Sequence, residues 1–291
     1  MKPDVRATAG QAPHVFPYSG VRLHTTEAMK TTFQIFLAES PTASESAVSA
    51  AFQKLEEIES LLSRYVPGSD VSRINALKSG ESLFLSDECD ACLRLAIKAL
   101  AWTGGRFDPC AGALVDAVKE GSDARLLTTG KIALDPERPL VSCLEAGRVV
   151  DLGAIGKGFA LERMASILAL HGVSDALLTS GASTLLAMGG QSWPVDIPHS
   201  TGRRRISLCN AALGASGNSQ QGVHIVDPTT GCGASRHQGV WVQHPRAPFA
   251  DAFSTACFVM TLEEIAEFSA SLPPDCQVIS DPDWEPRVLL L

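Results

Sequence analysis

Residues 149–160 read Val-Val-Asp-Leu-Gly-Ala-Ile-Gly-Lys-Gly-Phe-Ala, which is typical of a short buried strand, a glycine-rich turn and the start of a helix. Apolar residues at helical spacing continue to Gly172, which is placed to end the helix. Glycines let backbone amides approach a ligand, and a helix amino terminus favours phosphate. Lys157 adds a cation to the turn, and Asp151 ends the strand with a carboxylate. The glycine order matches neither the dinucleotide fingerprint nor the P-loop. The stretch therefore predicts an anion or nucleotide site of another kind, with a tight packing turn as the alternative.

A second unusual segment is the apolar helix predicted over 251–260, because it carries oxygen-bearing side chains. Asp251 and Thr255 are four residues apart and share one helical face. Buried polar groups need partners, and two interpretations supply them. Either Thr255 bonds back to its own helix while Asp251 caps the helix start, or both bind Mg²⁺, which prefers oxygen ligands. A carbonyl of the Gly153-Ala154 turn is available as a further ligand, and such a metal would favour cleavage of a pyrophosphate.

The composition is that of an ordinary globular protein, with 291 residues, 45% of them hydrophobic and 19% charged. A net charge of −8 argues against general nucleic-acid binding, and no apolar run reaches the length of a membrane span. We expect residues 1–20 to form a flexible tail and not a signal peptide, because they lack an apolar core. Eight scattered cysteines indicate free thiols in a reducing compartment, and Cys89 and Cys92 are interpreted as core residues of a helix.

The other elements are short strands and amphipathic helices in no regular alternation. Helices are predicted after the capping residues Thr42, Ser86 and Thr261, and 121–141 is predicted to be a connecting loop. Strands are predicted over 31–38, 175–179, 185–188, 195–197, 206–209, 213–215, 239–243, 278–279 and 288–291. Because strands and helices do not alternate one for one, we expect an α+β fold with mixed or antiparallel sheets and flanking helices, in a single large domain over 21–291.

Five collinear segments between Met29 and Met260 resemble the motifs of the ApbE-type FAD:protein FMN transferases, and together they span most of the chain. Two of them are the glycine-rich stretch and the helix with Asp251 and Thr255. The other three are Tyr65 with the segment 67–75, the run 106–108, and the segment 224–231.

The resemblance implies a fold related to the T-fold, an enzyme that binds FAD and Mg²⁺, and transfer of FMN to a Thr or Ser hydroxyl of an acceptor flavoprotein with release of AMP. It implies that Asp251 and Thr255 are the catalytic pair and bind Mg²⁺ together with the Ala154 carbonyl. The residues that it places against FAD are Met29, Tyr65, Arg106, Phe107, Asp108, Asp151, Lys157, His224 and Ile225. Among them, Tyr65 and Phe107 are expected to offer stacking surfaces to a flavin or adenine ring.

The chain departs from the family pattern at three places. Lys30 follows Met29 where the family has glycine, Ser254 stands where some relatives have a second acidic residue, and Ala182 replaces the second glycine of a pair. Two alternatives to the transferase therefore stay open: an FAD pyrophosphatase, which releases FMN and AMP, and a non-catalytic flavin-binding or assembly protein. Many family members are exported lipoproteins, but this sequence has no lipobox. We expect a cytoplasmic location for the chain as given, or a periplasmic one if a leader has been removed.

Overall fold

The largest element is a seven-stranded sheet in which every neighbouring pair of strands is antiparallel. In the computed structural model, the described residues are 14–15, 20–38, 45–121, 130–199, 202–217, 225–234 and 236–280. The strands are β1 His14–Val15, β2 Val21–Ala28, β3 Thr31–Ala38, β4 Ser82–Phe84, β5 Lys131–Leu134, β6 Leu140–Glu145, β7 Ala176–Ser180, β8 Thr184–Met188, β9 Trp193–His199, β10 Gly202–Leu208, β11 Ala211–Gly217, β12 Val226–Asp227, β13 Cys232–Gly233, β14 Gly239–His244 and β15 Gln277–Ser280. The strand order in the large sheet is β15-β14-β11-β8-β7-β3-β2.

The helices are α1 Glu45–Leu62, α2 Asp70–Asn75, α3 Asp87–Trp102, α4 Gly112–Lys119, α5 Gly156–Leu170, α6 Ala247–Val259 and α7 Leu262–Ser271. Ser86 caps α3, and Thr261 forms a capping box with Glu264 at the start of α7, as the sequence predicts. Cys89 and Cys92 are buried on α3, which confirms their interpretation as core residues. Ile97, on the same helix, is exposed.

Alternation along the strands gives the large sheet two apolar faces. On one face, Phe33 and Ile35 join the main core, where α5 and α6 lie against the sheet. On the other face, Phe36 packs with Trp193 and Val195 under the small sheet β1-β9-β10. The large sheet is therefore buried between a helical layer and a second sheet, which confirms the predicted α+β class with antiparallel sheets and flanking helices.

Three local predictions are wrong. The predicted loop over 121–141 contains β5 and the start of β6, which form a small sheet with β4, although 122–129 lie outside the described residues. The predicted strand at 149–150 is a single parallel bridge between Val149 and Ala111. Helix α6 starts at Ala247, earlier than predicted, because Pro248 lies in its first turn, where proline is tolerated.

Two expectations concern the chain ends and membrane crossing. His14 and Val15 pair with β9, but the rest of 1–19 and the predicted strand over 288–291 lie outside the described residues. Within the part of the chain that the structure describes, no helix combines the length and the apolar character that a membrane crossing needs.

Candidate functional site

The residues that lead into the glycine-rich turn are fixed by hydrogen bonds to distant segments. The Asn75 side chain bonds both backbone groups of Val150, with Nδ2 2.9 Å from the carbonyl oxygen and Oδ1 2.7 Å from the amide nitrogen. The Asp151 amide donates to the Pro109 carbonyl at 2.8 Å, and Asp151 Oδ1 accepts the Gly153 N–H at 2.8 Å. The turn therefore holds a defined shape ahead of α5.

The amino terminus of α5 is capped by a side chain of another helix. Asp251 Oδ2 accepts the Gly158 N–H at 3.0 Å, and Asp251 Oδ1 accepts the Thr184 hydroxyl at 2.9 Å. Asp251 is the fifth residue of α6 and only 2% exposed. The simpler interpretation of the sequence expected Asp251 to cap its own helix, and this expectation is wrong. A negative charge beside a helix amino terminus is stabilised by the helix dipole and by the donated N–H.

Three further hydroxyl groups lie near the Asp251 backbone, on β11 and α6. Ser216 Oγ lies 2.9 Å from Ser254 Oγ and 3.3 Å from Thr255 Oγ1. Ser254 donates to the Asp251 carbonyl at 2.9 Å, and Thr255 Oγ1 lies 3.4 Å from the same oxygen, which is the back-bonding that the simpler interpretation expected. We call Thr184, Ser216, Asp251, Ser254 and Thr255 the oxygen cluster.

The oxygen cluster and the glycine turn meet where Gly158 and α6 cross. A Cβ atom on Gly158 would lie 2.2 Å from the Ala247 carbonyl oxygen, so only glycine allows this approach. Ala154 lies on the turn that precedes α5. The donor set of an Asp251 carboxylate, a Thr255 hydroxyl and an Ala154 carbonyl is entirely oxygen, which fits the ligand preference of Mg²⁺. Among the described residues, no group of three or more His, Cys, Asp or Glu side chains is arranged to hold a metal.

A pocket of about 140 Å³ is lined by the glycine turn, the end of α1 and the β2–β3 turn. It brings together four of the residues that were predicted to contact FAD: Met29, Tyr65, Asp151 and Lys157. The Tyr65 ring is open to solvent, because the residue is 56% exposed. Lys157 Nζ donates to the Gly153 carbonyl at 2.6 Å.

Arg64 is a pocket residue that the sequence reasoning missed. Its guanidinium donates two hydrogen bonds to Asp116, at 2.7 and 2.6 Å, and a third to the Tyr65 hydroxyl at 2.7 Å. Its Nε lies 2.8 Å from Asp151 Oδ2, an ion pair without hydrogen-bond geometry. The hydrogen bonds between Arg64 and Asp116 raise the pKa of Arg64 and lower the pKa of Asp116 below its usual value. The only signal in the sequence is that Arg64 precedes Tyr65.

Four other predicted FAD contacts that belong to the described residues do not line the pocket. Arg106 is held by Asp227 at 3.1 Å and also contacts Glu264. Asp108 pairs with Arg148 at 3.1 Å. Ile225 and Phe107 are buried in the main core, so Tyr65 is the one predicted stacking ring that is open to solvent. His224 lies outside the described residues.

Comparisons with known proteins agree with this architecture. The family model described as ApbE family matches residues 29–280. A protein named FAD:protein FMN transferase from Treponema pallidum is 29% identical over 273 residues, covering 78% of this chain and 75% of the relative. A protein of the same name from Vibrio cholerae is 26% identical over 288 residues, covering 88% and 86% of the two chains.

Solved structures show the same fold. The ApbE protein of Thermotoga maritima superimposes with a TM-score of 0.78 at 23% identity, covering 89% of this chain and 94% of that one. The flavinyl transferase ApbE of Pseudomonas stutzeri, in its apo form, gives a TM-score of 0.76 at 21% identity, covering 90% and 94%. Because the family model covers most of the sequence, this chain belongs to the ApbE family.

Proposed function

We propose that this chain is a Mg²⁺-dependent FAD:protein FMN transferase, which moves the FMN half of FAD to a Thr or Ser hydroxyl of an acceptor flavoprotein. The acceptor hydroxyl loses its proton to water, its oxygen forms a new bond to the phosphorus of the FMN phosphate, the P–O bond to the AMP phosphate breaks, and AMP leaves. The names of the relatives from Treponema pallidum and Vibrio cholerae support the reaction. We retain the cytoplasmic location expected from the isolated cysteines.

The observation that carries the proposal is the bond between Asp251 and the Gly158 amide, because it joins the oxygen cluster to the start of α5, which directly follows the glycine turn. We assign Mg²⁺ to Asp251, Thr255 and the Ala154 carbonyl, an all-oxygen donor set. When bound there, Mg²⁺ would neutralise the charge that develops on the phosphates as the P–O bond breaks.

The pocket residues are assigned to FAD binding. Tyr65 offers a ring face for stacking, and Lys157 supplies a cation for phosphate. A volume of about 140 Å³ is below the range of about 300–1,000 Å³ that is usual for drug-sized ligands. The pocket therefore takes in one part of FAD, and the rest of the dinucleotide extends towards the oxygen cluster.

The test is to incubate the purified protein with FAD and MgCl₂, with and without an acceptor flavoprotein of known threonine attachment site. AMP is followed by chromatography and the acceptor by intact mass. We expect AMP together with an acceptor that has gained the mass of one FMN, and we expect neither in EDTA. AMP and free FMN without acceptor modification would establish the pyrophosphatase instead, and no AMP in any arm would contradict both reactions.

Two variants test whether the reaction depends on the proposed metal ligand Asp251. Asp251→Asn removes the charge and keeps the volume, so we expect transfer to fall by at least about a hundredfold, the loss of a few kcal/mol of electrostatic stabilisation. Asp135→Asn makes the same change in the turn after β5, away from the pocket lining and the oxygen cluster, and should transfer FMN at the normal rate. Full activity of Asp251→Asn would remove Asp251 from the metal site.

A further inference from the structure

The β2–β3 turn has a backbone that does not suit its residues. Met29 and Lys30 have φ values of 49° and 60°, so both central residues of a two-residue hairpin turn are left-handed, as in a type I′ turn. Such a turn favours Asn-Gly, because side chains with a Cβ are disfavoured there. Strained residues of this kind cluster at ligand sites. Here the Met29 amide is held by Glu59 Oε1 at 2.8 Å, and both turn residues line the pocket.

The Lys30 side chain covers the exposed ring of the pocket. Its Nζ lies 4.1 Å from the centroid of the Tyr65 ring, which is cation–π distance. An aromatic ligand that stacks on this face of Tyr65 must displace the ammonium. The displaced group sits on a flexible four-carbon stem at the edge of the pocket, within reach of the same ligand.

The charged groups of the pocket that already have partners determine which ligand group the displaced ammonium can bind. Arg64 is already compensated by Asp116 and Asp151. Lys157 donates to a neutral carbonyl, and Lys30 forms no ion pair with any carboxylate of the described residues. Among the described residues, the pocket therefore presents two ammonium groups without carboxylate partners, one on the β2–β3 turn and one at the start of α5.

We propose that Lys30 is a specificity-determining residue, which covers Tyr65 in the empty pocket and binds the phosphate of a flavin nucleotide whose ring has replaced it on Tyr65. This inference rests on the proposed function. It states that the pocket distinguishes flavins that carry phosphate from riboflavin, which does not. The charge of Lys30 favours the phosphorylated ligand, and its cover over Tyr65 disfavours the uncharged one.

The experiment compares dissociation constants of FMN and riboflavin, measured by quenching of flavin fluorescence at low and high NaCl. Lys30→Met keeps the length of the side chain and removes its charge. We expect it to weaken FMN binding about tenfold, the factor for one hydrogen bond to a charged group, and to leave riboflavin binding unchanged or tighter. We also expect FMN binding by the variant to depend less on salt. Lys98→Met, on the exposed side of α3, is the matched control and should behave as the wild type.

Lys30→Gly keeps the test decisive if the methionine variant does not fold, because glycine suits the left-handed turn. It should lose FMN affinity in the same way while raising the melting temperature. Equal changes for FMN and riboflavin, or no change for either, would overturn the inference. If the wild type transfers FMN while the Lys30 variants bind FMN normally, the Lys30 assignment alone is wrong. If the wild type binds no flavin, the proposed function is wrong as well.

Discussion

The two halves of the candidate site are built in different ways. In the oxygen cluster, Asp251 is 2% exposed and its partners come from α5 and β8, with a backbone amide as one donor. In the pocket, the lining depends on long side chains from turns, and Tyr65 is 56% exposed between Lys30 and Arg64, whose charged groups lie 4.1 and 4.6 Å from its ring centroid.

Because of this difference, we expect mutations in the two halves to affect different properties of the protein. Thr184, Asp251 and Ser254 of the oxygen cluster are buried in the core, so changing them alters the free energy of unfolding as well as chemistry. Groups on the pocket wall are held by charge contacts in which at least one partner is open to solvent, so changing the exposed partner alters ligand binding and salt dependence with little effect on stability. The following substitutions test this contrast, in order of decreasing expected effect on stability.

The largest effect is expected at the crossing of α5 and α6. In Gly158→Ala, the new Cβ would lie 2.2 Å from the Ala247 carbonyl oxygen and must push the two helices apart. We expect a loss of about 3 kcal/mol in the free energy of unfolding, at the upper end for overpacking a core. Urea denaturation followed by circular dichroism measures it.

Gly156→Ala is the matched control, because a Cβ there meets nothing within 4 Å. It lies two residues earlier on the same helix, and alanine is the better helix former. We expect it to be as stable as the wild type or more stable, by up to about 1 kcal/mol. Equal stability of the two variants would mean that the crossing of α5 and α6 is looser than described.

The second-largest loss of stability is expected at Asp251, where two substitutions distinguish its structural role from its proposed chemical role. Asp251→Ala leaves the Gly158 amide and the Thr184 hydroxyl buried without their acceptor, so we expect a loss of about 1–3 kcal/mol in stability. Asp251→Asn keeps one acceptor oxygen, and the Thr184 hydroxyl can turn to accept from the new amide, so the loss should be under about 1 kcal/mol. Urea denaturation of both variants provides the comparison. If alanine proved as stable as asparagine, the carboxylate would not be the cap of α5.

The same contrast explains which parts of the site could be predicted from sequence. Helix α5, the seven strands of the large sheet and the caps at Ser86 and Thr261 follow local rules of periodicity and capping, and the sequence predicts nearly all of them. The resemblance to the family, confirmed by the family model, supplied the candidate site residues. Strands β5 and β6 were missed because a four-residue and a six-residue strand next to Pro136 and Pro139 carry a weak pattern.

Contacts between distant residues could not be predicted. The cap that Asp251 places on Gly158 joins residues 93 positions apart, and the pair of Arg64 with Asp116 spans 52 positions. Neither leaves a local signal, since each depends on how helices pack in three dimensions. At Phe107, by contrast, a local signal was present and was misleading. An aromatic residue in a site motif predicted a stacking surface, but the fold buries the Phe107 side chain.

The smallest effect is expected on the pocket wall, at the pair of Arg64 and Asp116. The Asp116 side chain is 44% exposed, so the pair should contribute only about 0.2–1 kcal/mol to stability. Its hydrogen bonds from Arg64 lower the pKa of Asp116 below the usual 3.8. The folded state therefore holds this proton less tightly than the unfolded state, and the contribution is present above about pH 4 and lost as the pH falls through the lowered pKa.

We therefore expect Asp116→Asn to be slightly less stable than the wild type at pH 6 and nearly equal to it at pH 2.5, in urea denaturation at both pH values. In an Arg64→Met background, the same substitution should have no pH-dependent effect, because the source of the pKa shift is gone. A difference that stays constant from pH 6 to pH 2.5 would show that Arg64 does not act on Asp116 through charge. A difference of several kcal/mol at pH 6 would instead make this pair as much a part of the packed core as the oxygen cluster, and the contrast between the two halves of the site would be lost.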